Sequence, residues 1–162
     1  MNKLLRLTTS TLCFLAASTA FMWPTAAQAA VPTTGTIQTH GSWVAPEDHN
    51  PCTGHTVAVT NTGHMVEHFT YFTASDFRLA ISETGLSSFT DDGISYTGQF
   101  QLHVDFIDTT ATAIQDVSLL LRLQGTDGSV VVGHEVIHLR WSGDPTTTAP
   151  VQSFDRPNFT CG

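Results

Sequence analysis

The sequence predicts an all-β antiparallel fold, and three observations carry that expectation. From Ile94 to Phe106 the chain alternates. Ile94, Tyr96, Phe100, Leu102, Val104 and Phe106 share one parity with Gly98 among them, while Ser95, Thr97, Gln99, Gln101, His103 and Asp105 hold the other. A period of two is that of a half-buried strand, whereas a helix would scatter those aromatics around its circumference. Turn signals separate the apolar runs, above all Asp91-Asp92-Gly93 and Gly125-Thr126-Asp127-Gly128-Ser129. Threonine is abundant while glutamate and lysine are scarce, which favours pleated surfaces over exposed helix faces.

Residues 1–29 have the pattern of a secretory signal. Met1-Asn2-Lys3-Leu4-Leu5-Arg6 is basic, Leu12-Cys13-Phe14-Leu15-Ala16-Ala17 centres a short apolar run, and Ala27-Gln28-Ala29 offers small residues for cleavage after Ala29. The run is interrupted by Ser18, Thr19 and Pro24, short of the roughly 20 apolar residues of a membrane span. Residues 30–50 read as a lead-in, polar and broken by Pro32, Pro46 and Asn50, with a short strand over 36–44 to seat Ile37, Trp43 and Val44. Residues 51–162 then form a single domain.

Within that domain, 56–60 alternates apolar with polar and is interrupted at Asn61-Thr62-Gly63; a strand resumes over 66–73. Phe77, Leu79 and Ile81 line one face of the next segment, and the alternating run 94–106 follows the Asp91 turn. The segment 117–123 is apolar at nearly every position and reads as a central strand. Residues 130–141 return from the turn at 125–129 and end at Gly143-Asp144-Pro145, and 151–159 lead to Cys161. Strands of roughly 10–14 residues are longer than the usual 5–6. That length predicts an antiparallel β-barrel (calycin-like) or a strongly coiled sheet, with a β-sandwich as the alternative. Closure would also remove exposed edges from a chain poor in lysine.

Removal of the signal takes Lys3 and Arg6 with it. Four arginines then face fourteen acidic residues, a formal charge of −10 against −8 for the whole chain. Such a chain repels phosphate backbones and anionic headgroups, which excludes nucleic acid and, after signal cleavage, the membrane as expected partners. Cys13 also leaves, so Cys52 and Cys161 remain. In an exported domain the simplest pairing is one disulfide between them; free thiols or an intermolecular bond are the alternatives.

Asn50-Pro51-Cys52-Thr53-Gly54 opens the domain, and Asn158-Phe159-Thr160-Cys161-Gly162 closes it. In these motifs the chain resembles a family of uncharacterised secreted bacterial β proteins, with an Asn-Pro-Cys-x-Gly opening and a single C-terminal cysteine. The resemblance implies a bacterial exported β domain with a terminal disulfide. It implies no activity and no catalytic residues.

One motif invites an enzymatic reading. His134-Glu135-Val136-Ile137-His138 matches H-E-x-x-H, which on a helix places two imidazoles one turn apart to share a zinc, with the glutamate as general base. The segment is rich in valine and follows a turn directly, so it reads as a strand. Strand geometry sets residues i and i+4 about 13 Å apart, too far to hold one ion. Histidines on adjacent strands could still converge, and His103, His134 and His138 are the candidates, all on polar parities. No nucleophile elbow or phosphate-binding glycine loop is present, and no cofactor is expected. The expectation is an exported non-catalytic domain that binds a small ligand or a surface partner, through a site lined by aromatics such as Tyr71, Phe100 and Trp141. A zinc-dependent hydrolase built on His134, Glu135 and His138 is the alternative.

Overall fold

The computed structural model describes residues 31–73 and 75–162; the expected signal segment 1–29, with Cys13, lies outside them. Seven strands follow one another: β1 (Thr33–His49), β2 (Thr56–Tyr71), β3 (Phe77–Asp91), β4 (Ile94–Asp108), β5 (Thr112–Gly125), β6 (Val130–Ser142) and β7 (Gln152–Cys161). They form one antiparallel meander in the order β1-β2-β3-β4-β5-β6-β7. The alternating segment at 94–106 is β4, and the two turn signals connect β3 to β4 and β5 to β6. The stretch 30–50, expected as a lead-in, carries β1, a full member of the sheet paired with β2 from Thr33 to His49 around a bulge at Ala45/Asp48.

The expected barrel does not form, and the sheet is neither strongly coiled nor one half of a sandwich. Each strand pairs only with its chain neighbours, and no ladder joins β1 to β7. Strand number supplies a reason. In an up-and-down meander of seven, the first and last strands run in the same direction, so closure would need a parallel ladder among antiparallel ones. Long strands do not by themselves close a sheet.

One face of the sheet is buried and the other open. Odd-numbered residues of β2 and β3 point to the buried face, with even-numbered ones of β4 and odd-numbered ones of β5 and β6 in register beside them. The apolar side chains on this face gather into two clusters. Leu79, Ile81, Val104, Phe106, Ala113, Val117, Leu139 and Trp141 pack toward one end of the strands. Val57, Val59, Phe89, Tyr96, Leu123 and Val131 pack toward the other. Between them run two register rows of different character. One contains Met65, Glu83, Leu102, Leu119 and Glu135; the next contains Gly41, Gly63, Gly85, Phe100, Leu121 and Gly133.

The sheet edges carry their own devices. Phe69 lies over Gly35 on edge strand β1, and Phe159 on edge strand β7 lies over Gly133, each ring covering a cross-strand glycine that has no side chain to pack. The predicted disulfide forms: Cys52, in the β1–β2 loop, meets Cys161 with a Cα–Cα separation of 5.9 Å. It ties the loop entering β2 to the end of the far edge strand.

Candidate functional site

Strand geometry decides the fate of the H-E-x-x-H match. It lies within β6, where alternation sends His134 and His138 to the open face and Glu135 to the buried one. The helix that zinc-hydrolase chemistry requires is not there. Each histidine is held by a neighbouring strand instead. Ser118 Oγ lies 3.2 Å from His134 Nε2. His138 Nδ1 lies 2.6 Å from Asp116 Oδ1, and its ring stacks on Phe154 at 5.2 Å. His103 stands between Ser82 Oγ at 3.2 Å and Asp105 Oδ2 at 3.0 Å, and Asp105 also accepts a hydrogen bond from Arg78 at 3.0 Å. Burial works against the Asp105 charge, but the Arg78 and His103 bonds hold its carboxyl below the usual range. These are pairs across or along strands on a solvated face, each worth a fraction of a kcal/mol to about 1 kcal/mol.

The aromatics named from sequence do not converge on one cavity. Trp141 is buried in the first core cluster. Tyr71 is exposed at a strand end, tilted against Phe69 and Phe77. Phe100 meets Trp43 edge-on, centroids 6.3 Å apart. Since Trp43 is on β1 and Phe100 on β4, the indole reaches over the buried faces of β2 and β3.

A polar knot at the disulfide end contains residues that the sequence reading did not single out as a group. Asn50 is fully buried in the β1–β2 loop; its Oδ1 accepts the Cys52 amide at 2.9 Å, and its Nδ2 donates to Asp91 Oδ2 at 2.7 Å. Thr53 Oγ1 donates to the same carboxylate oxygen at 2.7 Å, and His55 Nδ1 lies 3.0 Å from Asp91 Oδ1. Asp91 in turn precedes the β3–β4 turn, where Asp92 (φ 48°) and Gly93 (φ 81°) both adopt the left-handed conformation of a type I′ hairpin. The Thr53 and His55 bonds, with Asn50 adding to them, hold the Asp91 carboxyl below its ordinary range, and Asp91 raises the His55 imidazole. Among the described residues, His55, Asp91 and Asp92 form the grouping whose ligand atoms all lie within 4.8 Å of one another. The Asp91 oxygens are already engaged by Asn50, Thr53 and His55, so the group is foremost a fastener of loop to turn. Four of the five positions of the Asn-Pro-Cys-x-Gly motif are thereby explained: a buried bridge at Asn50, a disulfide at Cys52, a second bond to Asp91 from Thr53, and a positive φ of 74° at Gly54.

The buried face holds a different set. Glu83 is 2% exposed, and its Oε1 is buried without a hydrogen-bond partner. Desolvation pushes its carboxyl up to about 7. Glu67, also buried, sits diagonally across the β2–β3 ladder from it, since Met65 pairs with Glu83 and Glu67 with Ile81. Further along the belt, burial first, and then the hydrogen-bonded Asp155 carboxyl and the charge of Asp48, push Glu135 to about 7. Burial raises Asp48 as well. Parity alone places Glu67, Glu83 and Glu135 among apolar residues, so their burial had a sequence signal; the unpartnered Oε1 of Glu83 had none.

On the open face, Leu86, Leu120 and Val132 stand 54%, 48% and 44% exposed on β3, β5 and β6. Leu86, Gln99, Arg122 and Val132 form one register row, and Thr84, Gln101, Leu120 and His134 the next. Leu120 and Val132 are diagonal neighbours on adjacent strands, while Gln99, Gln101 and Arg122 stand between them and Leu86, so apolar and polar side chains interleave on this face.

Compared with known proteins, the chain matches no family model, no curated protein sequence and no solved structure.

Proposed function

We propose that the chain is an exported, non-catalytic β domain that recognises a macromolecular surface partner through the open face of β3 to β6. The observation that carries the reading is the set of Leu86, Leu120 and Val132, apolar side chains left half in water with Gln99, Gln101 and Arg122 among them. Exposed apolar side chains set among hydrogen-bonding groups suit a contact surface, and a patch without aromatic platforms suits a polypeptide better than a flat sugar. Export rests on the signal pattern at 1–29, on the Cys52–Cys161 disulfide, and on the resemblance of 50–54 and 158–162 to secreted bacterial proteins. The acidic balance argues against nucleic acid or an anionic membrane as the partner.

A displayed peptide library selected on the mature protein tests the reading. Selected peptides should bind the wild type and lose at least tenfold in affinity for Leu86→Lys/Leu120→Lys, with the melting temperature unchanged. Failure to enrich any binder, or equal binding to the variant, would remove the open face from consideration.

A further inference from the structure

Two register rows of side chains cross β3 to β6 on the open face, one running from Leu86 to Val132 and the other from Thr84 to His134. The residues between them, Gly85, Phe100, Leu121 and Gly133, have the parity of the buried face, so backbone floors the space between the rows. A shallow depression of about 710 Å³ results, running across all four strands. Its lining holds one charged side chain, the exposed Arg122. Among the described residues no carboxylate pairs with Arg122, whereas Arg78 is matched by Asp105 at 3.0 Å.

The acids that β3 to β6 turn to this face are Asp105 and Asp116, side by side in one register row. Asp116 stands about 20 Å from Arg122 along β5 at the rise of an extended strand. Toward the other end, Asp127 in the β5–β6 turn accepts the Ser129 amide at 3.0 Å. Charges are screened over about 8 Å at physiological ionic strength, so Asp105 and Asp116 do little to the potential at Arg122. The depression is therefore a locally positive spot on an acidic chain, and the charge it complements is an anion. Gln99 and Gln101 add amide donors on the adjacent strand, and Leu86 and Val132 bracket the row with apolar surface. Neighbouring strands lie about 4.8 Å apart, which sets Leu86 about 14 Å from Val132 with Arg122 between them. Alternate side chains of an extended peptide are about 6.8 Å apart, so an apolar-x-acid-x-apolar segment spans the same distance. Building on the open-face reading, we infer that the depression takes an extended peptide with one carboxylate between two apolar side chains. The carboxylate sits on Arg122, one apolar side chain on Leu86 and the other on Leu120 and Val132.

Three displayed peptide libraries selected on the mature protein test the inference: apolar-x-Glu-x-apolar, and the same design with glutamine or lysine at the centre. The expected result is enrichment from the glutamate library, each selected peptide binding the wild type at least tenfold more tightly than its glutamine twin. Arg122→Gln should erase that difference with the melting temperature unchanged, and Arg122→Glu should turn the preference toward the lysine twin. Arg140→Gln, at an exposed arginine outside the depression, should leave the preference intact. Equal or greater enrichment from the glutamine or lysine library would overturn the carboxylate inference and leave the open-face reading standing. A glutamate preference that survives Arg122→Gln would overturn the inference in the same way. Enrichment from none of the three would remove both.

Discussion

Replacing Glu83 by glutamine should stabilise the protein in alkali relative to acid. Glu83 is nine-tenths and more buried, and burial raises its carboxyl from 4.5 to about 7. A raised folded-state value means that the folded chain prefers the protonated form. Stability is therefore complete below about pH 4.5 and drains away as pH rises through about 7. At full ionisation the loss is about 3 kcal/mol, a large fraction of the 5–15 kcal/mol that separates folded from unfolded domains. Glutamine has nearly the same shape and cannot ionise, so it escapes this loss. Its amide brings donors that also lack partners, a cost of about 1–3 kcal/mol that is the same at every pH. The informative quantity is thus the change in the mutational effect between two pH values. Urea unfolding at pH 5 and pH 8.5, in phosphate or borate free of amines, should show the variant gaining about 2–3 kcal/mol on the wild type across that interval. A mutational effect identical at both pH values would refute the reasoning, because it would mean that ionised Glu83 is as well accommodated as neutral Glu83.

Other parts of the molecule give equally direct expectations. Asn50→Ala removes two buried side-chain hydrogen bonds, one to a carboxylate, and should cost about 2–4 kcal/mol in urea unfolding at pH 7. Reducing the Cys52–Cys161 bond, or replacing both cysteines by serine, frees a loop with a sequence separation of 109 and should cost about 4–5 kcal/mol, read as a shift of the unfolding midpoint. Asp91 titrates below the ordinary carboxylate range, so the knot's contribution is present above that range and is lost as pH falls through the lowered value; amide exchange at Cys52 and His55 should stay slow at pH 4 and quicken only in stronger acid. His134→Ala/His138→Ala should change stability by under about 1 kcal/mol and leave the zinc content after equilibration and dialysis unaltered, since both side chains make cross-strand contacts on the solvated face.

Much of the fold could be read from the chain because β periodicity is local. The parity of 94–106, the turn at Asp92-Gly93 and the turn at 125–129 each depend on residues within a few positions of one another, and all are found where the pattern put them. Strand β1 was harder, because Thr33, Thr36, Gln38, His40 and Ser42 are those of an exposed edge, with Trp43 and Ile37 its main apolar contributions. Closure was not legible, since it turns on strand number and stagger, neither of which leaves a mark in any one strand. The same locality limits the sites. His134 and His138 could be assigned to one face and Glu135 to the other from alternation alone. That Asn50 would meet Asp91, or that Glu83 would lie diagonal to Glu67, depends on ladder registers that join distant parts of the chain.

The meander gives the two ends of the molecule different characters. The β1–β2 loop, the turns into β4 and β6 and the C-terminus lie together at the end that also holds the disulfide, the Asp91 knot and the smaller core cluster. The segments that follow β2, β4 and β6 lie at the opposite end without a covalent tie. The fastening acts as a rivet at one end only, through the β1–β2 loop, the end of β7 and the β3–β4 turn. Fluctuations of a sheet so held grow with distance from the rivet, so local stability grades along each strand instead of differing from one strand to the next. Cutting the rivet would convert a graded motion into the peeling of β7, the shorter edge strand, from its neighbour.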